Sequence, residues 1–330
     1  MKVRSYRLIT ILSMAMATGM ATAGPTVYIP LGSGNQVIAV DAHTDKITAT
    51  FTGVENPHGL VATPDGEYLV AGSLTETPLT SGQAVETPNS KLSLIHLAHG
   101  HVMITIPVAG WTHHEAITPD GRFVISTHPT RGSISLTDMR YNEVVKTIKT
   151  GLAPNYVVIT SDGSRAYVTN SGNGTITEIE TGTWSVTRTL DGGPGPEHMV
   201  LSGDETRLFV TNPKAGQVSA ISIKTGKIID AWQIGDNVHG LDIGDDGKTL
   251  FVSSKQGDKL TALNTDTGKV VHEISLAPAP YHLNTIHGTG KVYVSSRKEP
   301  KIWVVDQDSL KVLGEIVLPA GEGHQMAIVE

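Results

Sequence analysis

The chain of 330 residues contains no cysteine. That excludes disulfides, thiolate metal sites, iron–sulfur clusters and the paired-cysteine attachment of covalent haem. Metal donors must therefore come from His, Asp, Glu, Asn, Met, Tyr or backbone. Aromatic residues are only 5% of the sequence, so a core has to be built from aliphatic side chains. Basic residues are outnumbered, 25 against 32 acidic ones, for a net charge of -7. This balance disfavours nucleic acid and anionic membranes as partners. Past residue 23 no apolar run reaches the ~20 residues of a spanning helix, so no membrane insertion is expected. Also missing are a G-x-S-x-G elbow, an H-E-x-x-H pair, a phosphate loop and an EF-hand pattern.

What is present begins with an export signal. Lys2, Arg4 and Arg7 precede an apolar stretch from Leu8 to Ala17, and Ala21-Thr22-Ala23 forms an A-x-A cleavage site. Residues 1–23 are read as a signal peptide cleaved near Ala23, and residues 24–330 as one exported, periplasmic domain with net charge -10.

The mature region is repetitive. Units led by His58, His113, Asn155, Glu197, His239 and His282 each run through a turn, usually Asp-Gly, and a seventh, led by His324, ends at the C-terminus. Successive leaders are 55, 42, 42, 42, 43 and 42 residues apart, the first interval carrying an insertion over Leu74 to Ser90. Alternating apolar residues between turn signals give four antiparallel strands per unit. Four strands every 40 to 45 residues is the period of a β-propeller blade. Residues 26–53 supply three strands without an inner one, and 324–330 an inner strand without partners. The expectation is an all-β, seven-bladed propeller whose last blade joins both chain ends.

Tyr167-Val168-Thr169-Asn170, with its variant Phe209-Val210-Thr211-Asn212 and the turns Pro64-Asp65-Gly66 and Pro119-Asp120-Gly121, resembles the YVTN β-propeller repeat family over nearly the whole mature chain. The resemblance extends to two redox propellers, the haem domain of cytochrome-type nitrite reductase and the propeller of nitrous oxide reductase, which holds copper with axial histidines. It implies the fold and leaves the function open, because propellers host unrelated activities.

Histidine occupies five of the seven leading positions: His58, His113, His239, His282 and His324. With 14 histidines in 330 residues, chance does not explain this. His114 and His198 follow the leaders of their own units directly. Equivalent inner-strand positions form a ring about the axis, and sheets ~10 Å apart set its radius at no more than roughly 11 Å. Neutral imidazole is a common metal ligand, and the arc His239, His282, His324, His58 and His113 spans consecutive blades. An all-nitrogen set suits copper first, with zinc as the alternative; the nitrous oxide reductase resemblance implies copper too. Repeat-encoded structural histidines and an organic ligand are the competing readings.

Asn155 and Glu197 mark a sector poorer in ligands, open to substrate or water. His128, Lys214, Lys255 and Arg297 follow or end second strands and are expected at the same mouth, the three cations as an anion-attracting rim. The insertion 74–90 is a candidate lid. Met199 and Met326 are expected in the core, with soft ligation as the other reading. His43, His96, His99, His101, His272 and His287 fall near outer turns and strands. Four functions remain: a redox or hydrolytic metalloprotein, a copper or zinc carrier serving a periplasmic protein partner, a metal-free partner-binding scaffold, and non-covalent haem binding.

Overall fold

A computed structural model describes residues 24–330; the signal-peptide reading falls on residues 1–23, outside the described residues. Among the described residues there are 28 β-strands, two short 3-10 turns and no α-helix, so no helix could cross a membrane. Five sheets are four-stranded and antiparallel, and one sheet has eight strands. The latter consists of two antiparallel quartets joined at a single parallel pairing, Thr52 with His101. The result is a multi-bladed β-propeller.

Each quartet follows from its sequence. Inner strands such as Pro57–Ala62 and Val238–Ile243 are buried along most of their length. Second strands such as Arg165–Asn170 read as one continuous buried run, since both faces are covered by neighbouring sheets. Outermost strands such as Glu143–Lys149 are largely exposed and carry the charges that keep a sheet edge from pairing with another chain. At the turn between the first two strands a hydroxyl and an aspartate lock together, as Thr160 Oγ1 donates to Asp162 Oδ1 at 2.7 Å and Asp162 accepts from Ser164 N. Gly163 there takes φ +70°, a conformation that suits glycine.

The core is distributed between sheets. Phe209, Val218 and Ala220 of one quartet pack on Val238, Leu250, Val252 and Leu263 of the next, and similar apolar clusters recur around the molecule. Each fully buried side chain of this size contributes about 1.5–3 kcal/mol. The expected meeting of chain ends is present: Thr26–Leu31 pairs with Ala327–Val329 through Thr26↔Val329, Val27↔Ile328 and Tyr28↔Ala327.

Candidate metal centre

Hydroxyls near the ends of the second strands position the centre. Thr127 Oγ1 accepts from His114 N and donates to Asn155 O in the next unit, at 3.0 and 2.8 Å. Thr169 does the same with Tyr156 N and Glu197 O, at 2.9 and 2.7 Å. Ser253 bridges Gly240 N and Tyr281 O, and Thr211 binds His198 N at 3.1 Å. Thr127, Thr169 and Ser253 thus each tie one inner-strand residue of their own unit to the leading carbonyl of the neighbour, while Thr211 holds His198 alone. The second letter of the Val-Thr-Asn pattern sets the spacing of the axial side chains.

These contacts correct the register of the sixth unit. Pro280 pairs with Ser296 and Leu283 with Val294, as Val238 pairs with Ser254 and Leu241 with Val252. The leading position there is Tyr281, and His282 is one residue further on. The misreading arises from placing His282 as the leader, although the usual 42-residue interval from His239 falls on Tyr281. The axial residues therefore form two tiers. The leading tier holds His58, His113, Asn155, Glu197, His239, Tyr281 and His324. The next holds His114, Tyr156, His198 and His282, with Gly59, Gly240 and Gln325. A Cβ at Gly240 would lie 2.6 Å from Tyr281 O, so this tier has no room for a side chain there.

The seven singled-out histidines converge. The His282 ring centroid lies within 5.5 Å of those of His58, His114, His198, His239 and His324. His58 also meets His113 at 4.5 Å and His324 at 4.2 Å. Three triads bring one nitrogen from each member within 4.8 Å of the others: His58, His113 and His114; His58, His282 and His324; and His114, His198 and His282. Any two triads share one histidine. His239 lies outside all three, although its ring is 4.3 Å from that of His198. The five-residue arc expected from the sequence is thus replaced by a compact two-tier cluster.

Tautomers follow from the hydrogen bonds. His58 Nδ1 donates to His113 O at 2.7 Å, and His114 Nδ1 to Asn155 O at 3.0 Å. His239 Nδ1 donates to Glu197 Oε2 at 3.1 Å. Nε2 of each is then the lone-pair nitrogen. Nε2 of His114, His198, His239 and His282 is buried without a hydrogen-bond partner. Burial, and after it mostly the neighbouring imidazoles and cations, drives His58, His114, His198, His239 and His282 well below the ordinary histidine value. His113 falls to about 4 through burial, against the pull of Glu197. Burial lowers His324 as well. Neutral imidazoles with orphaned lone pairs are the donor set a borderline cation takes, so these residues fit a metal.

The surroundings hold residues that the sequence reading passed over. Tyr281 stacks on His239 at 4.3 Å and 13°, and Tyr156 lies 4.6 and 4.7 Å from His114 and His198. Tyr281 was hidden by the misread register of its unit, whereas Tyr156 directly follows the leading residue Asn155 and was detectable there. Glu115 is 1% exposed, and burial holds its carboxyl well above the usual range. It fills space left by two glycines, since a Cβ at Gly59 or Gly72 would come within 3.1 or 2.4 Å of its oxygens. Glu322 accepts from Arg297 at 2.7 Å and from Ser33 at 2.6 Å, and lies 3.5 Å from His324 Nε2. His324, Ser33 and Arg297 draw Glu322 down to about 2; with His324 neutral at pH 7, Arg297 is the cation that holds its charge.

Other expected site residues are placed as follows. His128 does not join the ring: its Nε2 meets Ser135 Oγ at 2.8 Å and its Nδ1 meets Trp111 O within its own blade. Asn170 and Asn212 at the equivalent position likewise bond inward, to Thr177 and Ser219. Side chains alternate along the strand, so these last residues face the sheet interior. Lys214, Lys255 and Glu197 line one groove of about 560 Å³ with Asp236 and Asn237. Lys255 and Arg297 both stand over the Tyr281 ring, at 5.1 and 5.4 Å. The insertion is anchored beside the second unit, where Glu76 accepts from Trp111 N and Asn89 from Gly110 N. Its Val85, Glu86 and Pro88 line a cavity with His128 and Arg131 and touch none of the ring histidines there. Met199 and Met326 pack in apolar clusters.

A family described as YNCE-like beta-propeller matches residues 202–291. No curated protein matches the sequence. Among solved structures the chain is similar to hydrazine synthase of Kuenenia stuttgartiensis, at 18% identity and TM-score 0.74, covering 91% of this chain and 100% of that one. It is similar also to the periplasmic gluconolactonase PpgL of Pseudomonas aeruginosa, at 16% identity and TM-score 0.74, covering 93% and 99%. The dihydro-heme d1 dehydrogenase NirN, solved in complex with DHE, aligns at 16% identity and TM-score 0.68 over 89% of this chain and 64% of that one. At these identities the likeness is one of fold. By its sheets, its family match and these solved structures, the chain is a β-propeller.

Proposed function

We propose that the chain is an exported, periplasmic, seven-bladed YVTN-type propeller that binds copper through its axial histidine cluster and serves in redox chemistry or metal handling. Residues 1–23 are the signal, and residues 24–330 the single propeller domain. The seven blades count the eight-stranded sheet as two, one of them closed by the chain ends.

One observation carries the metal reading. Six imidazoles, His58, His113, His114, His198, His282 and His324, stand in three overlapping triads, with buried nitrogens left without protein partners. Leaving such groups unmatched costs about 1–3 kcal/mol each, a cost that coordination offsets. Bound copper supplies a centre for one-electron transfer or for ligand exchange between triads. Glu197, through His239, acts as the outer carboxylate that orients an imidazole. Because any two triads share a histidine, filling more than one site requires shared or incomplete ligand sets. Zinc would fit the same donors. A haem reading borrows from NirN, but adjoining rings 4.2–5.5 Å apart leave no slot between them for a porphyrin.

The test is elemental analysis and visible absorption of protein purified from the periplasm, beside His58→Ala, His114→Ala and His282→Ala. Copper near or above one equivalent, lost in the three variants, is expected. Metal-free protein that neither takes up copper nor melts higher in its presence would overturn the reading. Colourless protein with exchangeable zinc would favour the carrier role.

A further inference from the structure

Lys255 differs from the other half-buried cations of this molecule. Lys291 is paired with Asp45 at 2.8 Å, Lys259 with Glu273 at 2.8 Å and Lys301 with Glu315 at 3.1 Å. Among the described residues Lys255 has no ion pair, in a sequence with more acids than bases. Its ammonium is held over the Tyr281 ring instead, and Tyr281 is stacked on His239. A partly desolvated charge without a counter-ion in contact is costly, and proteins normally pair it closely.

The groove beside it explains where a counter-ion would come from. It is lined by Lys255, Lys214, Glu197, Asp236 and Asn237 and has a volume of about 560 Å³, enough for a small molecule. Lys214 is exposed and also has no ion pair among the described residues. Glu197 accepts from the neutral His239 and keeps its charge, and Asp236 stands in the same groove, yet among the described residues neither carboxylate forms a close ion pair with Lys255 or Lys214. Arg297, the third cation, is neutralised by Glu322.

We infer that this groove is a binding site for a small oxygen-bearing anion, a carboxylate or an inorganic oxyanion, seated on Lys255 and Lys214 and adjoining the histidine cluster through Glu197 and His239. The inference rests on the proposed function for the purpose of such a ligand, but not for its binding. An anion here lies one residue contact from His239 on two routes, through Glu197 and through Tyr281. The site would thus admit an anionic substrate or exchangeable ligand at the edge of the cluster and disfavour cations.

Calorimetric titration at low ionic strength tests this, with oxalate and inorganic phosphate as separate probes and the metal content of every sample measured alongside. Saturable binding of at least one probe is expected, about tenfold weaker in Lys255→Gln and less affected in Lys214→Gln. Oxalate alone would mark a carboxylate site, and phosphate alone an oxyanion site. Absence of saturable binding by the wild-type protein, or equal binding by a folded Lys255→Gln, would overturn the inference. Metal content scores the histidine cluster independently, so either conclusion can fall without the other.

Discussion

Nδ1 of His239 lies 3.1 Å from Oε2 of Glu197, a contact that crosses from one repeat unit into the next. It fixes the tautomer of the one histidine of the axial cluster that belongs to no triad, and it turns the unpartnered Nε2 away from the carboxylate. Glu197→Gln keeps the shape but removes the charge. It should weaken copper binding by roughly 10- to 100-fold if His239 takes part in ligation, while the melting temperature of the metal-free protein changes little. Competition titration against a chelator of known affinity reads the first quantity and calorimetry the second.

The hydroxyl bridges give a second prediction. Thr169 holds Tyr156 N and Glu197 O from the last but one position of a largely buried strand. Thr169→Val preserves the volume and leaves both groups unmatched. A loss of about 1–3 kcal/mol in urea unfolding is expected. An unchanged midpoint would show that the bridges do not hold the axial tier.

Acid should destabilise the fold through its buried histidines. His128 is 1% exposed and burial lowers it to about 4, whereas in the unfolded chain it titrates near 6.5. Between those values the unfolded state binds a proton that the folded state refuses, so stability rises with pH. The contribution is complete above pH 6.5 and is lost as pH falls towards 4, to the extent of roughly 3 kcal/mol for this one group. His128→Asn adopts the residue that stands at the same place in Asn170 and Asn212. The variant should show a flatter fall of melting temperature between pH 7 and pH 4.5. A slope equal to wild type would mean that His128 does not titrate in that window.

Glu115 supplies a fourth test. Its buried carboxyl makes no well-formed hydrogen bond on either oxygen, the Gly72 backbone being its one weak polar neighbour, while Leu60, Leu241 and Leu283 stand at the matching position in other units. Glu115→Gln should be close to neutral in stability. Gly72→Ala should cost about 1–3 kcal/mol, because its Cβ would fall 2.4 Å from both Glu115 Oε1 and Thr112 Cγ2. Denaturant midpoints of the two variants decide it, and a Gly72→Ala protein as stable as wild type would show that the carboxyl can move.

How much of this was legible in the sequence depends on what repeats. Strand order, the Asp-Gly turns and the pairing of the chain ends recur or close a pattern, and they could be read. The inward turn of the histidines could be read too, since His58, His113, His239 and His324 hold a position that returns every 42 residues or so. The second tier could not, because His114, His198 and His282 occupy a place that elsewhere is Gly59, Tyr156 or Gly240, and only hydrogen-bond register separates adjacent residues on a strand. A slip of one residue, from Tyr281 to the neighbouring His282, was enough to misplace Tyr281. His128 misled for a different reason: it ends a strand at the right height and faces the sheet interior.

The joining of the chain ends has a consequence for how the cluster comes into being. His324 stands just before Ala327–Val329, the strand that closes on Thr26–Leu31. It meets His58 and His282 only once that clasp has shut. An ion shared by these three side chains would tie the two ends of the polypeptide together, and free ion at one hundred times its dissociation constant would add about 2.7 kcal/mol to closure. Loading the centre and sealing the propeller would then be a single equilibrium.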